Sequence, residues 1–250
     1  MKWLARLSMP LCLAIWEAAV RALQVPAYLM PGPIAIIGAF FADWQGLLKA
    51  LLVTLSVMVT ALLVSILVGV CLAALVTASR VARAIVQPWA IVLQVTPVVA
   101  IAPLLILWIG NPFAALVLCA SVVAFFPIFS ATLAGLAAPP PELRDLFRLN
   151  GAKIWQEILW LRLPAAMPLF LSGLRISGGL ALVGAVVAEF VNSTGGGATG
   201  LATRLLESGY RLEVPRMFAC LALLALTGLA INFSLGRLEA ALLRRYGTVS

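Results

Sequence analysis

Residues 112–136 read PFAALVLCASVVAFFPIFSATLAGL, twenty-five consecutive positions without a charged side chain. A helix needs about twenty mostly apolar residues to cross the hydrocarbon core of a bilayer, so this stretch is long enough to span it. Transmembrane β-strands would instead show segments of about ten residues that alternate in hydropathy. The stretch therefore predicts a membrane-spanning α-helix, and it sets the expected fold class as an all-α membrane protein.

Five further stretches have the same character, and together they predict about six transmembrane helices in one domain that covers all 250 residues. The other predicted spans are roughly 4–23, 50–77, 85–109, 165–191 and 217–236. Lys2 and Arg6 resemble the start of a signal peptide, but Glu17 and Arg21 interrupt the apolar run and no cleavage site is evident. We expect this first stretch to remain as a helix in which Glu17 and Arg21, one turn apart, neutralise each other.

The overall composition agrees with a membrane protein, because 64% of the residues are apolar and only 10% are charged. A soluble domain of this size needs far more polar surface, which excludes an ordinary soluble enzyme, a disordered chain and a disulfide scaffold. Histidine is absent, so His-based metal sites and Ser-His triads are excluded, and we expect no catalytic residue and no metal here. The four cysteines lie far apart in apolar runs, which indicates small buried side chains.

The net charge of +8 comes from basic residues that flank the apolar runs. This pattern is typical of anionic lipid headgroup contacts and of topology signals rather than of a nucleic-acid surface. With a cytoplasmic amino terminus, twelve of the seventeen Lys and Arg residues fall on the cytoplasmic side. The positive-inside rule thus predicts that both termini are cytoplasmic. Residues 137–164 then form the longest cytoplasmic connection, and 24–48 and 192–213 form external segments.

The cytoplasmic connection predicts two short helices at the membrane surface. Three prolines at 139–141 end the fourth span, and the first helix then carries acidic residues such as Asp145 near its start, which suits the helix dipole. Gly151 ends this helix because glycine tolerates a left-handed conformation, and a second helix over about 153–162 runs until Pro164. Two amphipathic helices of this kind suit a groove on another protein, although a loop that rests on lipid headgroups has the same composition.

The spacing in this loop resembles the EAA loop of permease subunits of bacterial ABC importers. The family pattern places an acidic residue, a glycine, an aliphatic residue and a closing Leu-Pro pair at fixed intervals. The matching residues here are Asp145, Gly151, Leu161, Leu163 and Pro164. Leu146 and Phe147 depart from the pattern, in which small residues stand at these positions. The resemblance implies that these residues, with Ala152, form the loop that contacts an ATPase subunit.

The likeness extends over roughly residues 50–245 and is nearest to the permeases of sulfonate, taurine and nitrate importers. It rests on ordered short matches at 94–97, 102–110, 126–128, 163–168, 173–175 and 187–189. The resemblance implies a type I ABC-importer-like fold in a bacterial inner membrane, where two permease copies, expected to be a homodimer, form the path. An extracytoplasmic binding protein would deliver a small solute, either a sulfonate-, taurine- or nitrate-like anion or a heterocyclic vitamin precursor.

The same resemblance implies that ATP and Mg²⁺ are used by separate cytoplasmic ATPase subunits. This chain contains no G-x-x-x-x-G-K-[ST] phosphate loop, so we expect no cofactor and no enzymatic activity in it. Residues 195–200 match G-x-G-x-x-G by letter, but a predicted span and not a strand precedes them. A flexible external turn is therefore expected there.

Polar residues inside spans are candidates for the translocation path, because polarity within a bilayer must face protein or water. The candidates are Gln94, Thr96 and Pro97 in the third span, which prolines can bend to open a cavity, and Glu189 and Asn192 at the outer end of the fifth. Gln94 fits a helix–helix hydrogen bond equally well, and Glu189 fits a solvated interfacial position.

A ridge of small residues on the fifth span predicts close helix contact. Gly173, Ser177, Ala181 and Ala185 recur every fourth residue, and such a ridge lets another helix approach within the chain or at a subunit seam.

An ion-coupled secondary transporter working alone is the alternative function. Transporters of that class rely on ionisable residues near the midplane of the membrane, and few ionisable residues of this sequence are expected there.

Overall fold

A computed structural model describes residues 2–193 and 199–245, without the side chains of residues 2–7, 9 and 245. Every regular element in these ranges is helical, which confirms the predicted fold class. In chain order the helices are α1 Lys2–Ala22, α2 Pro33–Ala42, α3 Trp44–Ala78, α4 Arg80–Val95, α5 Val98–Ile109, α6 Pro112–Ala137, α7 Pro141–Leu149, α8 Ile154–Glu157, α9 Leu163–Asn192, α10 Leu201–Tyr210 and α11 Val214–Arg245. A π-helical turn, Ile158–Arg162, joins α8 to α9.

Four helical stretches of the described chain are long and apolar enough to cross a membrane. They are Trp44–Ala78, Pro112–Ala137, Ile154–Asn192 and Val214–Arg244, and the bent pair of α4 and α5 makes a fifth if it counts as one span. Helix α1 coincides with the first predicted span, but part of it lies outside the described side chains. Six spans and the cytoplasmic termini therefore stay predictions.

The predicted span over 85–109 is not one straight helix but the bent pair of α4 and α5. The chain turns by 105° between α4 and α5. Pro97 has no N–H to donate, and its ring pushes the preceding Thr96 into an extended conformation (φ −76°, ψ 123°). The Thr96 N–H and hydroxyl both donate to the Val92 carbonyl, at 3.1 and 2.6 Å, and α4 ends there. The expectation that prolines bend this span is confirmed.

Pro164 does not end the second helix of the cytoplasmic loop, contrary to the prediction. Helix α8 continues through the π turn into α9, so Ile154–Asn192 is one helical stretch of 39 residues. Pro164 is the second residue of α9, and it has no N–H to donate to a carbonyl of the preceding turn. A π turn bonds from i to i+5 and so absorbs the local mismatch. The second part of the predicted cytoplasmic loop and the span that follows it therefore form one helical stretch.

The predicted external segment 24–48 is mostly helical, since it contains α2 and the first residues of α3. Glu17 and Arg21 form the expected ion pair at 2.6 Å. Glu17 also accepts a bond of 3.1 Å from the Ile34 N–H, which is one of the unsatisfied donors at the start of α2. This acidic residue thus ties α1 to α2.

Helices α3, α6 and α9 form the centre of the bundle because small residues let their backbones approach. A Cβ added at Gly173 would lie 2.9 Å from the Pro127 carbonyl oxygen of α6. Ser65 of α3 donates to the Ser121 carbonyl of α6 at 2.9 Å. Such contacts replace hydrophobic driving force, which lipid does not supply between helices. The bent pair α4–α5 lies at the side of this centre.

Candidate functional site

The two short helices of the predicted cytoplasmic loop meet at a glycine turn. Helix α7 ends at Leu149, and Gly151 adopts a φ of +73°, in the left-handed region that favours glycine. The Ala152 N–H donates to the Phe147 carbonyl at 3.0 Å, and the Asn150 side-chain amide donates to the Leu146 carbonyl at 2.8 Å. These bonds satisfy carbonyls at the end of α7. The predicted helix–turn–helix is confirmed up to this turn.

Large apolar side chains on this loop face outwards. Leu149 is 85% exposed and Ile154 is 68% exposed, and Leu146 and Trp155 are about half exposed. A cavity of about 410 Å³ lies between the two helices and is lined by Leu146, Phe147, Asn150, Gly151, Ala152, Gln156 and Trp160. Exposed apolar area of this kind is expensive in water and marks an interaction surface.

The residues of the predicted coupling loop fall into three places. Leu146, Phe147, Gly151 and Ala152 share the cavity between the helices. Asp145 lies elsewhere on α7, 3.7 Å from Arg148 in an exposed pair. Leu161, Leu163 and Pro164 lie in the π turn and at the start of α9. The loop therefore has an outward part and a part built into the span.

The π turn contains a buried ion pair that was not predicted from the sequence. The Arg162 Nε donates to Glu157 Oε1 at 2.9 Å, and the two side chains are only 13% and 7% exposed. A spacing of five residues does not share a face in an α-helix, but it does in a π turn. The pair joins the last residue of α8 to the last residue of the turn, so it locks the connection between the loop and α9.

Two of the predicted path residues line one cavity. Gln94 and Thr96, at the bend after α4, border a cavity of about 370 Å³. Its other lining residues are Leu93, Val98, Val122, Val123, Phe126, Pro127 and Leu180. None of the side chains in this lining is charged. Pro97 lies at the bend beside the cavity but is not among the residues that line it.

Glu189 and Asn192 lie apart from that cavity and are buried, Glu189 being only 1% exposed. Glu189 Oε2 accepts from the Ala202 N–H at 2.9 Å, and the Thr54 hydroxyl accepts from the Leu201 N–H at 2.8 Å. Both N–H groups belong to the first turn of α10, which has no intrahelical partners for them. Glu189 therefore caps a helix between spans and is not in a solvated interfacial position.

The small-residue ridge of α9 packs against α6 within this chain. Ser177 is fully buried and donates to the Ala124 carbonyl at 2.7 Å. Gly173, Ala181 and Ala185 are buried as well. This placement puts the ridge inside one chain rather than on a surface open to a second copy.

Two other expectations concern absent chemistry and the glycine run. Within the described side chains, no group of three or more His, Cys, Asp or Glu residues could hold a metal ion. Residues 194–198, which carry the run at 195–197, lie outside the described residues.

Comparison with known proteins gives a family match over most of the chain. Residues 65–247 match the model of the binding-protein-dependent transport system inner membrane component. The chain is 34% identical over 239 residues to the riboflavin transport system permease protein RibX of Chloroflexus aurantiacus, covering 94% of this chain and 87% of that one. It is 31% identical over 232 residues to the formylaminopyrimidine transport permease protein ThiX of Halalkalibacterium halodurans, covering 92% and 91%.

A sulfonate permease and a solved transporter are also similar. The identity is 27% over 245 residues to the putative aliphatic sulfonates transport permease protein SsuC of Bacillus subtilis, covering 97% of this chain and 87% of that one. A chain of the MetNI methionine ABC transporter in an inward-facing conformation superposes with a TM-score of 0.66 at 20% identity, covering 78% of this chain and 95% of that one. The latter shows the shared fold, which is that of type I ABC importer permeases.

Proposed function

This chain belongs to the family of binding-protein-dependent transport system inner membrane components and is a permease subunit of an ABC importer, and we propose that it carries a small uncharged heterocyclic solute into the cell. In this proposal two copies form the path in a bacterial inner membrane, with all termini in the cytoplasm. Separate ATPase subunits power the path, and an extracytoplasmic binding protein supplies it.

The outward apolar face of the cytoplasmic loop carries the proposal. Helix α7 presents Leu146 and Leu149, and the start of α8 adds Ile154 and Trp155. A short amphipathic helix that lays its apolar side into a groove is a common mode of protein recognition. An apolar groove on an ATPase would bury these side chains and remove them from water.

The continuity of α8 with α9 gives the docked loop a mechanical route to the path. A displacement of α8 moves the π turn, and the buried Glu157–Arg162 pair keeps that turn in one conformation. Helix α9 then contributes Leu180 to the cavity that Gln94 and Thr96 border. Closure of two ATPase subunits on each other would thus change the walls of the cavity through one rigid element.

The chemistry of that cavity favours an uncharged solute. Its polar groups are one amide and one hydroxyl among apolar walls, which suits hydrogen-bonding heterocycles with apolar faces. A sulfonate would enter without a cationic partner, and an unpaired charge in an apolar site is costly. RibX and ThiX, whose names specify heterocyclic compounds, are also more similar in sequence than SsuC.

The decisive experiment replaces Leu149 with glutamate in the complete importer. A charge at this exposed position of α7 should prevent burial in a groove, so the ATPase should no longer co-purify and ATP-driven uptake should cease. Glu142→Gln, on the same helix, is the matched control and should retain both. Leu212→Glu, at an equally exposed apolar position beyond α10, tests whether any surface charge has this effect.

Three outcomes would contradict the proposal. If Leu149→Glu retained ATPase and uptake, the loop would not be the docking element. If the chain alone in liposomes concentrated solute under a proton or sodium gradient, it would be a secondary transporter. Uptake of riboflavin or an aminopyrimidine, but not of ethanesulfonate, would support the solute class, and the reverse preference would contradict it.

A further inference from the structure

Helix α4 carries a polar stripe along one face. Arg83, Gln87 and Gln94 are four and seven residues apart, so they lie within a narrow sector of the helix, and Arg80 begins the same sector. The opposite face presents Val81, Ile85, Trp89 and Val92, all of which are about half exposed or more. The helix is therefore amphipathic along its whole length and is not a generic lipid-facing span.

A second cavity lies beside this stripe, on the side of Arg80 rather than of the bend. It has a volume of about 450 Å³ and is lined by Arg83, Gln87, Ala90, Ile91, Phe126, Phe129, Ser130, Leu133, Ala134 and Ala137. Its walls come from α4 and α6, as do most walls of the cavity at Gln94. Polar side chains are thus placed on both sides of this cavity, by α4 and by Ser130.

The two faces of α4 require different surroundings in a bilayer. Arginine and glutamine inside a membrane face protein or a water-filled cavity, because lipid leaves their donors unpaired. Within the described part of the chain, no acidic side chain pairs with Arg80 or Arg83. The face with Ile85 and Trp89 suits lipid, whereas the stripe needs water or, at its Arg80 end, anionic lipid headgroups.

Phe126 stands between the two cavities. It is the residue that lines both, and its ring is partly buried. Pro127, next in the chain, has no N–H to donate to the Val123 carbonyl, which leaves an acceptor at the wall of the Gln94 cavity. Ser130, one turn further, lines the other cavity. Polar groups thus continue along α6 on either side of one aromatic ring.

We propose that the solute path continues from the Gln94 cavity past Phe126 into the cavity of Arg83 and Gln87, and that it opens to the cytoplasm beside Arg80. This inference rests on the proposed function and extends it to the inner half of the path. The arginines at the mouth favour neutral or anionic solutes and repel small cations, as positive charges do in other pores. Phe126 is the boundary that separates the two halves.

Cysteine accessibility tests this path without requiring transport. The four native cysteines are first replaced, and Gln87→Cys on the stripe is compared with Ile85→Cys on the opposite face in the complete importer in inverted membrane vesicles. A charged, impermeant thiol reagent should modify the stripe cysteine at least about tenfold faster, because thiolates form in water and not in lipid. Ala84→Cys, which borders the same stripe, serves if Gln87→Cys fails to assemble.

The same labelling assay also tests the role of the arginine charges and of Phe126. An anionic thiol reagent should outpace a cationic one at Gln87→Cys, and Arg83→Gln should reduce that preference several-fold. Gln94→Cys should react slowly from the cytoplasmic side and faster once Phe126→Ala removes the boundary. Phe113→Ala, an exposed phenylalanine at the start of α6, should leave the reactivity at Gln94→Cys unchanged.

Several results would overturn the inference. Equal labelling of both faces would show that α4 lies in an aqueous interface, and no labelling of either would show that protein or lipid covers the stripe. If Phe126→Ala left the labelling rate of Gln94→Cys unchanged, Phe126 would not separate the two cavities. None of these readouts depends on ATP, so the ATPase could dock as proposed while this inner path fails, and the two failures are distinguishable.

Discussion

Breaking the Glu157–Arg162 pair is the sharpest perturbation that the structure offers. The pair spans the π turn between the cytoplasmic loop and α9, and both side chains are nearly buried. Replacement of Glu157 by glutamine leaves the Arg162 charge in place without its partner. The expected result is a π turn that opens more often and transmits loop movement poorly, so that ATP is hydrolysed with less solute moved.

The size of the effect follows from the burial of the pair. Removal of one partner from a buried ion pair costs about 3–5 kcal/mol, and the residual exposure of 13% and 7% argues for the lower end, about 3 kcal/mol. Because about 1.4 kcal/mol corresponds to a factor of ten, local opening should become roughly a hundredfold more frequent. The double replacement Glu157→Gln with Arg162→Met leaves no charge and should recover most of this loss.

Hydrogen exchange of the amides in residues 154–163, measured on the complete importer, reports that opening directly. The Asp145–Arg148 pair, 3.7 Å apart and 65% exposed on both sides, is the matched control. Breaking an exposed pair costs at most about 1 kcal/mol, so Asp145→Asn should change exchange by less than tenfold. The single variant Arg162→Met completes the comparison. If the increases in hydrogen exchange caused by Glu157→Gln and Arg162→Met simply added in the double variant, the pair would not stabilise the π turn.

Three further replacements test the helix contacts and the glycine turn. Gly173→Val should prevent assembly of the bundle, because even a Cβ would lie 2.9 Å from a carbonyl oxygen of α6, whereas Gly179→Ala, which has open space around it, should melt normally in detergent. Gly151→Ala should weaken ATPase co-purification, since a left-handed alanine costs about 1 kcal/mol; unchanged co-purification would argue against a fixed turn. Glu189→Leu should speed hydrogen exchange in the first turn of α10 by about tenfold or more, while Glu189→Gln, which still accepts, should not; equal effects would contradict the capping role.

The apolar runs and the glycine turn could be predicted because both depend on short stretches of sequence. A span is a matter of length and composition, and four of the predicted spans appear as continuous described helices that satisfy that test. The turn at Gly151 follows from the backbone angles that glycine alone adopts freely. The loop motif likewise depends on intervals within a single stretch.

The remaining features depend on contacts that no local pattern encodes. Glu189 was considered for the path or for a solvated interfacial position, but it is buried and accepts from the Ala202 N–H in the first turn of α10. The sequence placed a stop at Pro164, whereas the π turn lets the helix pass through it. A spacing of five between Glu157 and Arg162 carries no signal unless a π turn is already assumed.

The polar stripe of α4 could be predicted from the sequence only in part. The sequence drew attention to Gln94 and Thr96 because they interrupt an apolar run. Arg83 and Gln87 were not singled out, because they lie at the predicted cytoplasmic end of the span 85–109. The 105° bend between α4 and α5 makes α4 a separate helix. Its polar face and its apolar face can then be distinguished.

We propose that separate ATPase subunits act on the predicted cytoplasmic loop. A structure of the assembled importer tests it most directly. We expect α7 and the start of α8 to lie in a groove of an ATPase subunit, with Leu146 and Leu149 buried there and the Glu157–Arg162 pair intact behind them. If these helices instead contact only water and lipid while the ATPase binds elsewhere, the claim is wrong.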